Sequence, residues 1–240
     1  MATFVLVAGA WLGGWCWRDV ATRLQGGGHV VISATLTGLG ERAHLLRRDV
    51  ALDTHVSDIV GLFEYQDLHE VVLVGHSSGG TVITAAAEET ATRIRALVYL
   101  DASVPWHGES NNDVLGQDLA SQLRRSAKLN GDGWRLPPAP VNEWGLPDDL
   151  RPWVEHRVTP HPLRSLEDPV HLESEVAASL PRVFFRSSTQ SAPYARLIAR
   201  ARDAVWLCRD LSGGHYPMLT EPDAVAAALA ELPSHPSLTK

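Results

Sequence analysis

Apolar residues fall along the first hundred positions in short unbroken runs, each followed by a stretch with helical spacing. Thr3–Val7 is β-branched and aromatic, the pattern of a strand buried on both faces. A glycine-rich loop follows, then a helical stretch from about Trp17 to Leu24 that Gly26-Gly27-Gly28 stops. His29–Ala34 predicts the next strand. From Asp53 to about Tyr65, Val56, Ile59, Val60 and Phe63 recur on one helix face. Glu70–Val74 predicts a strand, Gly79 to about Thr90 a helix, and Ala96–Leu100 a further strand. This alternation predicts an α/β fold, a mostly parallel central sheet of about six strands. Right-handed crossovers put helices on both of its faces.

The rhythm stops near Val104. From there to Pro169 the chain is rich in Pro, Trp, Asp and Gly, with Leu136-Pro137-Pro138-Ala139-Pro140 near the middle. A structureless loop of this length is unusual in a compact domain, so the segment reads as an ordered insertion. The strand Arg182–Phe185, a helix near Tyr194–Ala201, the strand Ala204–Leu207 and a closing helix from Pro222 to Leu232 restore the pattern. The expected organisation is a core of residues 1–103 and 170–240 with a lid, or cap, of residues 104–169.

Composition narrows the partners. With 45% hydrophobic and 20% charged residues the chain is globular, not disordered. Its 21 basic and 28 acidic residues give a net charge of −7 and no basic stripe, which argues against nucleic acid. Cys16 and Cys208 are too few for a disulfide framework, and no His-x-x-x-His or Cys-x-x-Cys pair suggests a metal. No run reaches the roughly 18 apolar residues of a membrane span. Phe4–Val7 lacks the charged start of a secretory signal, the first basic residue being Arg18. The expectation is a cytoplasmic protein with no membrane partner; a homodimer stays open.

The strongest chemical signal is Gly75-His76-Ser77-Ser78-Gly79, set between a predicted strand and a predicted helix. In that context G-x-S-x-G is a nucleophile elbow, a turn tight enough to need flanking glycines and to expose the Ser77 hydroxyl. The alternative is a Gly/Ser turn that only binds an anion. A serine needs a base to take its proton. His215, in Gly213-Gly214-His215-Tyr216-Pro217 after the last strand, has the required chain position. His44, His55, His69, His107, His156, His161, His171 and His235 fall on polar surfaces or in the insertion.

The triad acid is harder to place. The loop after Arg182–Phe185, its usual site, carries Ser187 and Ser188 but no carboxylate. Asp101 ends the all-apolar strand Ala96–Leu100, where a carboxylate is costly unless paired. Asp101 is therefore assigned to orient His215, with Asp210 the weaker candidate because it lies so close to His215 in sequence. The oxyanion needs two backbone donors. The N–H groups of Ser78 and of Ala10, in the loop after the first strand, are assigned, with Gly9 leaving room for the acyl group. That loop lacks both phosphate-binding glycine patterns.

These residues resemble the α/β-hydrolase superfamily. Within it they are similar to the small single-domain group of plant methyl-salicylate-type esterases, hydroxynitrile lyases and bacterial pyrethroid-type carboxylesterases. The resemblance runs through Phe4–Val7 with Gly13-Gly14-Trp15-Cys16-Trp17, Thr35-Leu36-Thr37-Gly38-Leu39-Gly40-Glu41-Arg42 and Val74-Gly75-His76-Ser77. It continues in Tyr99-Leu100-Asp101-Ala102 and Gly214-His215-Tyr216-Pro217-Met218-Leu219. It implies a serine hydrolase that cleaves a hydrophobic or aromatic carboxylic ester through an acyl-enzyme, with no cofactor. A lactonase, thioesterase or biosynthetic cyclase would use the same triad, and a ligand receptor could reuse the fold. The lyase branch carries Thr beside the oxyanion loop and Lys after the histidine, where this chain has Gly9 and Tyr216. Family members also place a supporting His where this chain has Ala8, so the resemblance does not fix the oxyanion geometry. The insertion is implied to cover the pocket, which makes Trp106, Trp134, Trp144 and Trp153, with Trp11 of the oxyanion loop, the expected substrate contacts.

Overall fold

The computed structural model describes residues 1–188, 199–202, 204 and 206–238. Six strands form one parallel sheet: β1 (Thr3–Val7), β2 (Val30–Ala34), β3 (Val71–His76), β4 (Ile94–Leu100), β7 (Arg182–Ser187) and β8 (Leu207–Leu211). Their order is β2-β1-β3-β4-β7-β8. The inner strands are mostly apolar because both faces are covered, with polar residues such as His76, Arg95 and Arg182 near their ends. Phe4, Leu6, Val72, Val74, Val98 and Leu100 point to one face, with Val20 and Leu24 of α1 (Arg18–Gly26) and Val225 and Leu229 of the closing helix Pro222–Glu231. Val5, Val7, Leu73, Leu97 and Tyr99 point to the other. There they meet Ile59 and Phe63 of α2 (Leu52–Tyr65) and Ile83 and Ala86 of α3 (Gly79–Thr90).

Between β4 and β7 the chain forms a 14-residue helix (Gln117–Asn130), several short helices and one two-stranded antiparallel sheet, β5 (Arg135–Leu136) with β6 (His161–Pro162). Val141, Trp144, Leu146 and Val154 join the core face that also holds Tyr216 and Met218. Ala127, Leu136, Leu163 and Leu166 make a small cluster of their own, and Trp11 packs against it. Among the described residues no helix is long and apolar enough to cross a membrane.

One sequence expectation changes. The last strand spans Leu207–Leu211, not Ala204–Leu207. It lies at the sheet edge, where Arg209 and Asp210 can sit in a strand because their side chains reach solvent and the ion-pair partners Glu231 and Arg186. Residues 199–202 are helical, while 194–198 of the helix expected near Tyr194–Ala201 lie outside the described residues.

The turn after β3 tolerates no side chain at Gly75. A Cβ there would stand 2.7 Å from the Gly79 carbonyl oxygen and 2.9 Å from the Gly80 nitrogen, both backbone atoms. Gly61, inside α2, has open space around it. Gly75→Ala should therefore cost about 2 kcal/mol or more. Gly61→Ala should add up to about 1 kcal/mol. Thermal unfolding midpoints moving in opposite directions would bear this out; a neutral Gly75→Ala would contradict it.

Burial also keeps three histidines uncharged. It lowers the pKa of His55 and lowers that of His161 well below the usual value, and it takes His76 down to about 3. Below the ordinary histidine pKa of roughly 6.5 the unfolded chain takes up protons that the native chain refuses, so stability falls with pH. Urea unfolding at pH 7.5 and 5.0 should show a loss of about 1.4 kcal/mol per pH unit for each excess proton. His55→Asn should flatten that dependence, and stability that holds or rises on acidification would contradict the account.

Candidate active site

β1 and β3 are neighbours, with Val7 opposite Gly75. The chain leaves β1 for β2 on one side and later returns to β3 on the other, which opens a crevice at their carboxyl ends. The loop after β1 and the turn after β3 meet in that crevice. Gly9 lies so close that a Cβ on it would fall 2.6 Å from the Ser77 Cβ. Ser77 has φ 53°, the left-handed region that non-glycine residues rarely adopt. Its N–H donates to the Leu100 carbonyl at 3.3 Å, and its own carbonyl accepts from Ser103 at 2.9 Å and Gly80 at 3.1 Å.

The Ser77 hydroxyl lies 3.1 Å from His215 Nε2, and His215 Nδ1 lies 2.6 Å from Asp101 Oδ2. Asp101 is 1% exposed, and its other oxygen accepts the Ser187 N–H at 3.4 Å. The buried Asp101 carboxylate accepts a hydrogen bond from Nδ1–H, so the ring proton stays on Nδ1 and Nε2 is left as an acceptor facing the serine. The loop bearing His215 is itself held. His76 Nε2–H donates to the His215 carbonyl at 2.8 Å, and the Ser187 hydroxyl donates to the Gly214 carbonyl at 2.6 Å. Asp210, the alternative acid, is instead paired with Arg186 at 2.6 Å on the outer edge of the sheet.

Ser78 precedes α3 as its N-cap, and the Gly80 and Thr81 N–H groups turn back to the Ser77 and Ser78 carbonyls. The Ser78 N–H thus belongs to the positive end of α3. Ala10 stands across the crevice between Gly9 and Trp11, the latter at φ 66°. Trp11 and Trp144 come together, their ring centroids 5.9 Å apart, and Trp144 stacks on Tyr216 at 4.6 Å. Tyr216 in turn lies edge-on to His215 at 5.0 Å.

The other tryptophans are placed differently. Trp106 is 59% exposed with the Arg200 guanidinium over its ring. Trp153 meets Trp15 edge-on and carries Arg18 and Arg157 over its ring, while Trp134 lies under Arg135.

His76, Ser187, Tyr216 and His161 reach the site or its support without having been singled out from sequence. Ser187 was legible only as a missing carboxylate, and His55, expected on a polar surface, is buried. Burial separates His55 and His161 from the solvated histidines; the helical spacing to Ile59 and Phe63 signals it for His55, while the short segment around His161 carries no such pattern.

A family model described as "Alpha/beta hydrolase family" matches residues 4–228. A carbendazim hydrolyzing esterase from Nocardioides sp. (strain SG-4G) is 39% identical, over 97% of this chain and 100% of its own length. The putative chloroplastic methylesterase 13 of Arabidopsis thaliana is 28% identical over 77% of this chain, which spans 45% of that longer protein. Among solved structures, an extracellular α/β-hydrolase from a Paenibacillus species superposes with a TM-score of 0.84 at 22% identity, covering 96% of this chain and 98% of its own. With sheet order, strand–turn–helix elbow and near full-length matches in agreement, the chain belongs to the α/β hydrolase family.

Proposed function

We propose that this ester hydrolase cleaves a hydrophobic or aromatic carboxylic ester through an acyl-enzyme on Ser77. The observation that carries the reading is the continuous relay from Ser77 Oγ to His215 Nε2 at 3.1 Å and from His215 Nδ1 to Asp101 Oδ2 at 2.6 Å. As Ser77 Oγ bonds to the acyl carbon, its proton passes to His215 Nε2 and the carbonyl electrons move onto oxygen. Asp101 stays ionised and stabilises the imidazolium. The N–H groups of Ser78 and Ala10 receive the oxyanion. Collapse expels the alcohol, which takes the proton from His215. Water then attacks the acyl carbon with His215 again as base, releasing the acid and restoring Ser77.

No cofactor enters this scheme. The aromatic group of Trp11, Trp144 and Tyr216 supports an apolar or aromatic substrate portion, because flat rings exclude water and offer area at low conformational cost. In this reading residues 104–169 are the lid, with core residues 1–103 and 170–240 beneath it. Trp144 is a lid residue close to the chemistry, joined to His215 through Tyr216. The bacterial relative named for hydrolysing carbendazim makes that compound one member of the substrate panel.

Ser77→Ala should lower kcat on p-nitrophenyl esters by about 10^6-fold; a variant with retained turnover would remove Ser77 from the scheme. Asp101→Asn should lower kcat on the order of 10^4-fold, as loss of the triad acid does elsewhere. Asp210→Asn should stay within about twofold, because an exposed ion pair contributes little. The reverse ranking of the two aspartates would show that the wrong acid has been chosen. Steady-state kinetics on an ester, lactone and thioester panel including carbendazim then separates the substrate classes that share this triad.

A further inference from the structure

Trp11 stands in an unfavourable backbone state. It is the third residue of a turn closed by the Leu12 N–H and the Gly9 carbonyl at 3.4 Å, and its φ of 66° is one that glycine or asparagine normally supplies there. A bulky residue in this region costs roughly 1–3 kcal/mol and persists only where its surroundings over-determine it. Here the surroundings come from the segment between β4 and β7. The Trp11 N–H donates to His161 Nδ1 at 3.4 Å, its carbonyl accepts the Thr159 N–H at 3.1 Å, and its indole N–H donates to the Leu136 carbonyl at 3.0 Å.

His161 is the only side chain among these partners, and its state is fixed. It is 2% exposed and lies with its ring 5.7 Å from that of His55. Its Nδ1 lone pair is taken by Trp11, so the ring proton resides on Nε2 and is donated to Ser165 Oγ at 2.9 Å. The Ser165 hydroxyl passes the chain on to the Pro162 carbonyl at 2.8 Å. A charged ring would turn Nδ1 into a donor aimed at another donor.

We propose that His161 is a positioning residue for the oxyanion loop: as a neutral acceptor for the Trp11 N–H, it holds the turn that aims the Ala10 N–H at the reacting carbonyl. Residues 134–161 thereby complete the oxyanion site from outside the core sheet. The inference rests on the reading of Ala10 as an oxyanion donor. It goes beyond that reading by naming what fixes the donor's direction.

The test compares wild type with His161→Phe, which fills the space but offers no acceptor, and His161→Asn, which restores one. Two readouts are used: kinetics on p-nitrophenyl butyrate, and inhibition by an alkyl trifluoromethyl ketone whose serine adduct carries a tetrahedral oxyanion. His161→Phe should lower kcat roughly 10- to 100-fold with KM within about threefold, because misaimed donors lose transition-state contacts and not substrate binding. Its inhibition constant should rise in step, and His161→Asn should recover most of both losses. A merely structural role would move the thermal midpoint and leave the two variants equally impaired, which would overturn the proposal. So would unchanged kcat and inhibition in His161→Phe while the ketone still forms its adduct at Ser77. Absence of any adduct at Ser77 in the wild type would overturn the Ser77 reading along with it.

Discussion

A hydroxyl becomes a nucleophile only when its proton has somewhere to go, and in the proposed mechanism that place is His215 Nε2, which lies 3.1 Å from Ser77 Oγ. The two residues are 138 positions apart, and His215 and Asp101 are 114 apart. The parallel sheet removes that separation. Every strand delivers its carboxyl end to the same edge: β1 supplies the loop with Gly9 and Ala10, β3 Ser77, β4 Asp101, β7 Ser187, and β8 the loop with His215. Pairing of Leu100 with His76 and with Phe185 keeps these ends level. A slip of one residue in any of these strands would break the relay.

Strain gathers at the same edge. Trp11, Ser77 and Asp101 all have positive φ, at 66°, 53° and 44°. Each such residue costs roughly 1–3 kcal/mol, and each is held by named contacts. Leu100 and Ser103 hold Ser77, the Phe185 carbonyl accepts the Asp101 N–H at 2.8 Å, and the segment after β4 holds Trp11. Among the described residues the three other non-glycine positions with positive φ, Asp67, Glu70 and Asp132, are charged residues of turns or turn edges, where such geometry is ordinary. In the proposed mechanism the strain at the crevice serves aim, since it turns Ser77, Asp101 and the loop after β1 toward one point.

Much of this was legible in the residues. Buried parallel strands announce themselves as unbroken apolar runs, so β1 is legible to the residue and β3 and β4 to within two residues at each end. The G-x-S-x-G turn and a histidine after the last strand carry a local pattern as well. β8 was misplaced because an edge strand accepts Arg209 and Asp210, which blurs the apolar signal. Asp101 is legible through the cost of a carboxylate after an apolar strand and through its place at the carboxyl end of that strand, where α/β sites form. The support given by His76, Ser187 and His161 was invisible, since it depends on pairs distant in sequence and on burial. The tryptophans show the limit of composition: it marks residues 104–169 as aromatic, yet Trp144 stacks beside His215 while Trp106 and Trp153 meet arginines.

The central claim is that a single hydroxyl, activated by a single imidazole, does the chemistry. Covalent labelling with a fluorophosphonate, read by peptide mass spectrometry, tests it most directly. The account predicts one adduct, on Ser77, whose rate of formation collapses in His215→Ala while the fold survives. An unmodified Ser77 in the wild type, or a labelling rate indifferent to loss of His215, would contradict it.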